Sequence, residues 1–87
     1  MDHDLKPIPP GITILEQMQL RNMTREDLAD MLNASVKEVN DLIKGDIQID
    51  DKIANQLYEI FKIPTSFWIN LQSIYNDKLK EYEKRNK

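Results

Sequence analysis

The side chains with most to offer a ligand lie close together, at Val36, Lys37, Asn40, Asp41 and Lys44. Their spacing puts them on the outward face of one short helix. An ammonium, a carboxamide, a carboxylate and a branched apolar group are the groups that read base edges in a major groove. On a duplex, Lys37 would donate to guanine and Asn40 would pair with adenine. Val36 would touch a thymine methyl, and Asp41 would accept a hydrogen bond from cytosine. Arg25 and the Ser35 hydroxyl stand at the starts of two consecutive helices, where backbone N–H groups favour phosphate.

Other chemistries find little support. The chain has no cysteine, which excludes disulfides, thiolate metal sites and a cysteine nucleophile. Its one histidine, His3, lies in a polar N-terminal stretch and reads as a bystander. With only two glycines there is no glycine-rich phosphate loop, and no nucleophile–base set can be assembled. Asp46, Asp50 and Asp51 suggest a calcium loop but lack its central glycine and its closing glutamate, and helix capping explains Asp50 and Asp51 better. Neither a metal nor a cofactor is expected, nor is catalysis.

The elements that must position these residues follow from punctuation. Two glycines and no alternating β-branched run argue against a sheet. Pro7, Pro9, Pro10 and Gly11 form an extended lead-in, with Gly11 easing entry into a first helix over about 12–21 that buries Ile14 and Met18. Asn22 suits a left-handed terminus. Thr24 caps a second helix, with Asp27 at its positive end and Leu28, Ala29 and Leu32 on one face. Asn33 stands where a tight turn needs positive φ.

Ser35 and Glu38 form a capping box that opens a third helix. Val39 and Leu42 anchor it, and it ends at Gly45. Asp50 caps a fourth helix carrying Ile53, Ala54, Leu57, Ile60 and Phe61, closed off by Pro64. A fifth starts near Thr65 with Phe67, Trp68, Leu71, Ile74 and Tyr75, then becomes charged and frayed after Asp77.

The result is one all-α domain of five helices. An extended lead-in spans 1–11, a helix-turn-helix domain 12–76 (the motif itself about 24–45), and a charged helix end or tail 77–87. At 40% hydrophobic and 31% charged residues the chain is an ordinary globular one, near the lower size limit for a single core. No apolar run approaches the ~20 residues of a membrane helix, and no signal sequence opens the chain, so it reads as cytoplasmic.

Within about 24–45, two short capped helices flank a tight turn. Ala29 is small where they cross, Asn33 suits the turn, and Val39 and Leu42 hold the second helix. This is the layout of a helix-turn-helix.

Charge complicates a nucleic-acid reading. The net charge is −3, and the basic excess lies in the tail rather than in the middle of the domain. Glu38, Asp41 and Asp46 lie on or beside the expected DNA face, where each repels phosphate. Binding by a single subunit should therefore be weak and depend on dimerisation, on the tail or on a partner. The same acids leave open a fold that has lost DNA and serves as a protein-interaction module.

Three stretches carry a family resemblance. They are Pro10-Gly11 before the first helix, Thr24-Arg-Glu-Asp-Leu-Ala-Asp-Met-Leu-Asn-Ala-Ser35, and Phe67-Trp-Ile-Asn-Leu-Gln-Ser-Ile-Tyr75. With these the chain resembles the Xre-type helix-turn-helix proteins, a phage-repressor-like fold, and among them the HigA-like antitoxins of toxin–antitoxin pairs. The resemblance runs from about Pro9 to Tyr75. It implies a homodimeric repressor that binds operator DNA, represses its own operon and neutralises a small toxin. It would place Arg25 on phosphate, put Val36, Lys37, Asn40 and Asp41 toward bases, and lend the region from Phe67 onward to the dimer. On the aromatic helix, Phe67 and Leu71 are expected to close the core, while Trp68, Ile74 and Tyr75 reach the partner.

Overall fold

The computed structural model describes residues 6–85; His3 and the first residues of the lead-in lie outside the described residues. The described residues contain five helices and no strand: α1 (Gly11–Leu20), α2 (Arg25–Leu32), α3 (Val36–Lys44), α4 (Asp51–Phe61) and α5 (Thr65–Arg85). No helix among them is long and apolar enough to cross a membrane.

The first three helices end in the same way. Asn22, Asn33 and Gly45 take positive φ of 52°, 55° and 92°. The residue after each returns its N–H to a carbonyl five positions back: Met23 to Met18 at 2.9 Å, Ala34 to Ala29 at 2.9 Å and Asp46 to Asp41 at 2.8 Å. This closure satisfies carbonyls that a helix end leaves orphaned, and it requires a left-handed residue, which asparagine and glycine supply at least cost. Lys62 ends α4 in the left-handed region at φ 62°, where the sequence offered no such signal.

Helix starts are equally well defined. Thr24 accepts from the Asp27 N–H at 3.0 Å, while its own N–H donates to Asp27 Oδ2 at 3.0 Å. Ser35 and Glu38 repeat that reciprocal box at 3.1 and 2.8 Å. Asp50 accepts from Ile53 N–H at 2.9 Å.

These caps and closures bound the helices, and apolar stripes bring all five together. Ile14 and Met18 of α1, Leu28 and Leu32 of α2, Val39 and Leu42 of α3, and Ala54, Leu57 and Phe61 of α4 are buried around Trp68 of α5. Burial of this kind supplies the stability that helices this short lack alone.

Gly11 has a different role from the one its place in the lead-in suggested. It is the first residue of α1 and is buried, and a Cβ there would run into the backbone of α3 at Leu42 O and Ile43. The absence of a side chain is what lets α1 lie directly on α3. Arg21, just past α1, clamps the far end: it donates to Phe61 O at 3.2 Å and lies 5.0 Å from the Phe61 ring centroid.

α5 corrects two expectations. It stays helical to Arg85 rather than fraying after Asp77, with Leu79 and Tyr82 half-buried along its extension. It is also rotated by one residue from the expected packing. Trp68, Gln72 and Tyr75 face inward, and Phe67 and Ile74 remain 41% and 51% exposed. Trp68, expected on the dimer surface, is completely buried, and Tyr75 nearly so. Both stripes are apolar at helical spacing, so the pattern does not choose between them.

Buried hydrogen bonding does choose. Gln72 Oε1 accepts the N–H of buried Ile49 at 2.7 Å, and its amide donates to Asn76 Oδ1 at 3.0 Å. An inward Gln72 satisfies a donor that would otherwise be stranded, and that register carries Trp68 into the core. The Trp68 ring meets Phe61 and, edge on, Phe67 at centroid distances of 6.3 and 5.3 Å.

Candidate nucleic-acid interface

α2 and α3 are separated by Asn33, Ala34 and Ser35. Ala29 and Leu32 face Val39 and Leu42 inside, which turns the opposite face of α3 to solvent. α3 is held on both sides, by α2 through these contacts and by α1 through the Gly11 approach. A rigidly seated helix is what a groove-reading element needs, because base-edge contacts tolerate little displacement.

Most of the expected contact residues gather on that seated helix and the start of α2. Arg25 and Ser35 are exposed at the first turn of α2 and the N-cap of α3. Arg25 Nε donates to Asn40 Oδ1 at 2.6 Å, tying the first turn of α2 to the middle of α3. The Ser35 hydroxyl oxygen accepts from Glu38 N–H, which leaves its own O–H free to donate. Val36 is half-buried and packs against the core, so only part of its side chain faces outward.

The charged groups form a chain. Lys37 Nζ lies 2.9 Å from Asp41 Oδ2, and Lys44 Nζ lies 3.8 Å from Asp41 Oδ1 and 3.7 Å from Asp46 Oδ2. The hydrogen bond from Lys37 holds the Asp41 carboxyl below its usual range, and the same bond raises the Lys37 ammonium. Glu38 is held low chiefly by the Ser35 backbone N–H of its capping box.

Two lysines thus face three carboxylates, Glu38, Asp41 and Asp46, along α3 and its end. These pairs are solvent-exposed, so a phosphate or a base edge can compete for the lysines at modest cost. Among the described residues no cluster of acidic or histidine side chains is arranged to hold a metal ion.

Sequence reasoning missed three residues that position this surface. Gln72 lies in the quoted aromatic segment, and a polar residue amid apolar spacing was the available signal. Arg21 and the α3-facing role of Gly11 left no mark in sequence, because both depend on partners more than 30 residues away.

Fold and site together define a helix-turn-helix protein of the Xre-like class. A HigA-family addiction-module antidote protein from Coxiella burnetii is 31% identical and superposes with a TM-score of 0.78, over 93% of this chain and 91% of that one. The chain belongs to the HigA family.

A proposed antidote protein of a plasmid maintenance system from Nostoc punctiforme shares the fold at 24% identity and a TM-score of 0.74, covering 95% of this chain and 98% of that one. Among curated proteins, the uncharacterised HTH-type transcriptional regulator YbaQ of Escherichia coli K12 is 29% identical over 69 residues, 78% of this chain. The chain spans 61% of that relative's length. No protein-family model matches the sequence.

Proposed function

We propose that this protein is the cytoplasmic antitoxin of a toxin–antitoxin pair, binding its own operator as a homodimer and neutralising a partner toxin. The observation that carries this reading is the seated α3 of a HigA-family chain, with Arg25, Ser35, Lys37, Asn40 and Lys44 presented from two capped helices. Arg25, the Ser35 hydroxyl and the N-termini of α2 and α3 hold phosphates. Val36, Lys37, Asn40, Asp41 and Lys44 line the groove. The working unit is the domain over 12–76, with 77–87 as its charged end.

Dimerisation is supported by the outward stripe of α5. Ile74 is half-exposed, and Leu71, Tyr75, Ile12, Pro7 and Ile8 line with it a groove of about 540 Å³ between the N-terminal segment, α1 and α5. Tyr75 contributes an edge to this groove, whereas Trp68 is buried in the core and does not line it. Replacing Ile74 with Asp should yield a folded monomer by sedimentation at micromolar concentration. A wild-type chain that sediments as a monomer there would remove the dimer from the proposal.

A second reading is favoured by one observation, the pairing of Lys37 and Lys44 with Asp41 and Asp46. If those pairs persist against a duplex, the domain is a protein-interaction module. Fluorescence anisotropy on the chain's own upstream duplex and on a scrambled one, at two salt concentrations, separates the two. An operator binder shows tight, sequence-selective binding that weakens steeply with salt. Absence of binding at low salt refutes it.

A further inference from the structure

A pocket of about 190 Å³ lies between α3, the turn that precedes it and the start of α4. Leu32, Val39, Leu42, Ile47 and Ile53 give it apolar walls. Val39 and Leu42 stand about half a turn round α3 from Lys37, Asn40 and Lys44, so the pocket backs the groove-facing set. Gln56, also in the wall, donates to Leu32 O at 3.1 Å and ties α4 to the end of α2 there.

Size narrows what fits. An apolar cavity of roughly 150 Å³ takes up benzene, whereas sites for drug-sized ligands run to roughly 300–1,000 Å³. The match is a compact apolar body of about six to ten non-hydrogen atoms.

Charge narrows it further. Glu38, Asp50 and Lys52 also line the pocket, and all three are exposed at its mouth. The two carboxylates are held by helix caps: Glu38 Oε1 accepts from Ser35 N–H at 2.8 Å, and Asp50 Oδ1 accepts from Ile53 N–H at 2.9 Å. An ionised carboxylate can accept several hydrogen bonds, so each keeps capacity for a ligand while its position is already fixed. An ammonium is the head group that gains most from such acceptors. Lys52 and the positive ends of α3 and α4 act against a cation, which makes its advantage modest. An anion fares worse, because both carboxylates repel it at short range.

We infer that this pocket binds a small amphipathic amine, its apolar body between α3 and α4 and its ammonium at the mouth beside Glu38 and Asp50. The inference rests on the fold and not on the DNA-binding reading. Because Val39 and Leu42 belong to α3, the ligand touches from behind the helix that carries the groove-facing set.

The test is an NMR titration of the isotope-labelled full chain at neutral pH with phenethylamine, 2-phenylethanol and phenylacetate. These share an aromatic body and carry a cationic, a neutral and an anionic head. Phenethylamine should shift the amide signals of Leu32, Ala34, Val39, Leu42, Ile47 and Ile53, with a Kd on the order of 1 mM for so small a ligand. It should bind about threefold more tightly than the alcohol, as exposed ion pairs allow, and phenylacetate should bind least. Glu38→Gln with Asp50→Asn keeps an acceptor oxygen in each cap and should erase the preference for the amine. Ala34→Leu, which fills the pocket from the turn, should weaken binding of all three while circular dichroism reports the helical fold.

No shifts up to about 10 mM amine, or shifts scattered away from the pocket, overturn the site. Alcohol or phenylacetate binding as tightly as the amine overturns the ligand class, as does a preference that survives loss of both carboxylates. The wild-type titration decides the matter even if a variant fails to fold, and none of these outcomes bears on DNA binding.

Discussion

Replacing Gly11 with Ala sets two physical effects against each other, and the structure decides the sign. In a helix, alanine is favoured over glycine by roughly 0.5–1 kcal/mol, so helix propensity alone makes Gly11→Ala stabilising. The new Cβ, however, would overlap Leu42 O and the Ile43 backbone of α3. Backbone atoms cannot rotate aside as a side-chain tip can, so α1 must lift from α3 or α3 must shift.

Overpacking of this kind costs about 1–3 kcal/mol, and contact with main chain belongs at the upper end. Subtracting the propensity gain leaves a net loss of about 2 kcal/mol. A domain this size loses roughly 4–8 °C of melting temperature per kcal/mol. Gly11→Ala should therefore lower Tm by roughly 8–16 °C, measured by circular dichroism with urea unfolding as a second readout. DNA affinity should fall as well, because α3 is the element displaced. An unchanged or raised Tm would refute the close approach of α1 to α3.

Three further outcomes are expected. Gln72→Leu keeps side-chain volume but strands the buried Ile49 N–H, which should cost about 1–3 kcal/mol in urea unfolding; a neutral result would deny Gln72 its part in setting the register of α5. Asp41→Asn should release Lys37 and Lys44 from their shared carboxylate. Affinity for any duplex should then rise, and the salt dependence should steepen by about one unit of slope per lysine engaged, read by anisotropy against salt concentration.

The third outcome concerns acid. Glu38 and Asp41 have folded-state values below their ordinary 4.5 and 3.8, through the Ser35 N–H and the Lys37 hydrogen bond respectively. A depressed carboxylate stabilises the fold above its ordinary value and loses that contribution as pH falls through the folded one. The urea midpoint should thus drop as pH falls below about 4.5. Glu38→Gln should flatten that part of the profile, and an equally steep fall in the variant would count against the capping carboxylate.

The local signals could be read because each is decided within a few residues. Threonine or serine three positions before an acid satisfies helix-start donors whatever the rest of the chain does. Asn22, Asn33 and Gly45 end helices because their own side chains, or lack of one, permit the left-handed region. Lys62 takes the same conformation without that license, held by its N–H to Tyr58 O at 2.8 Å and the packing of Phe61, and no local rule announces it.

The candidate site divides along the same line. Residue types named the groups that α3 offers, since Lys37, Asn40, Asp41 and Lys44 must share the side of the helix opposite Val39 and Leu42. What each group has left to give depends on its partner. Arg25 reaches Asn40 across 15 positions and donates to its oxygen, and Asp41 pairs with the two lysines on its own helix.

By itself, then, the sequence determined five helices, three of them opened by side-chain caps, the helix-turn-helix at their centre and the outward set on α3, because caps, left-handed turns and helical periodicity act over one or two turns of chain. Only the tertiary structure decided that Trp68 rather than Phe67 enters the core, that Gly11 is a contact surface for α3, and that Arg25 reaches across to Asn40. Each of those outcomes turns on atoms brought together from distant segments, where one buried N–H, one missing methyl or one guanidinium selects among arrangements the local pattern allows equally.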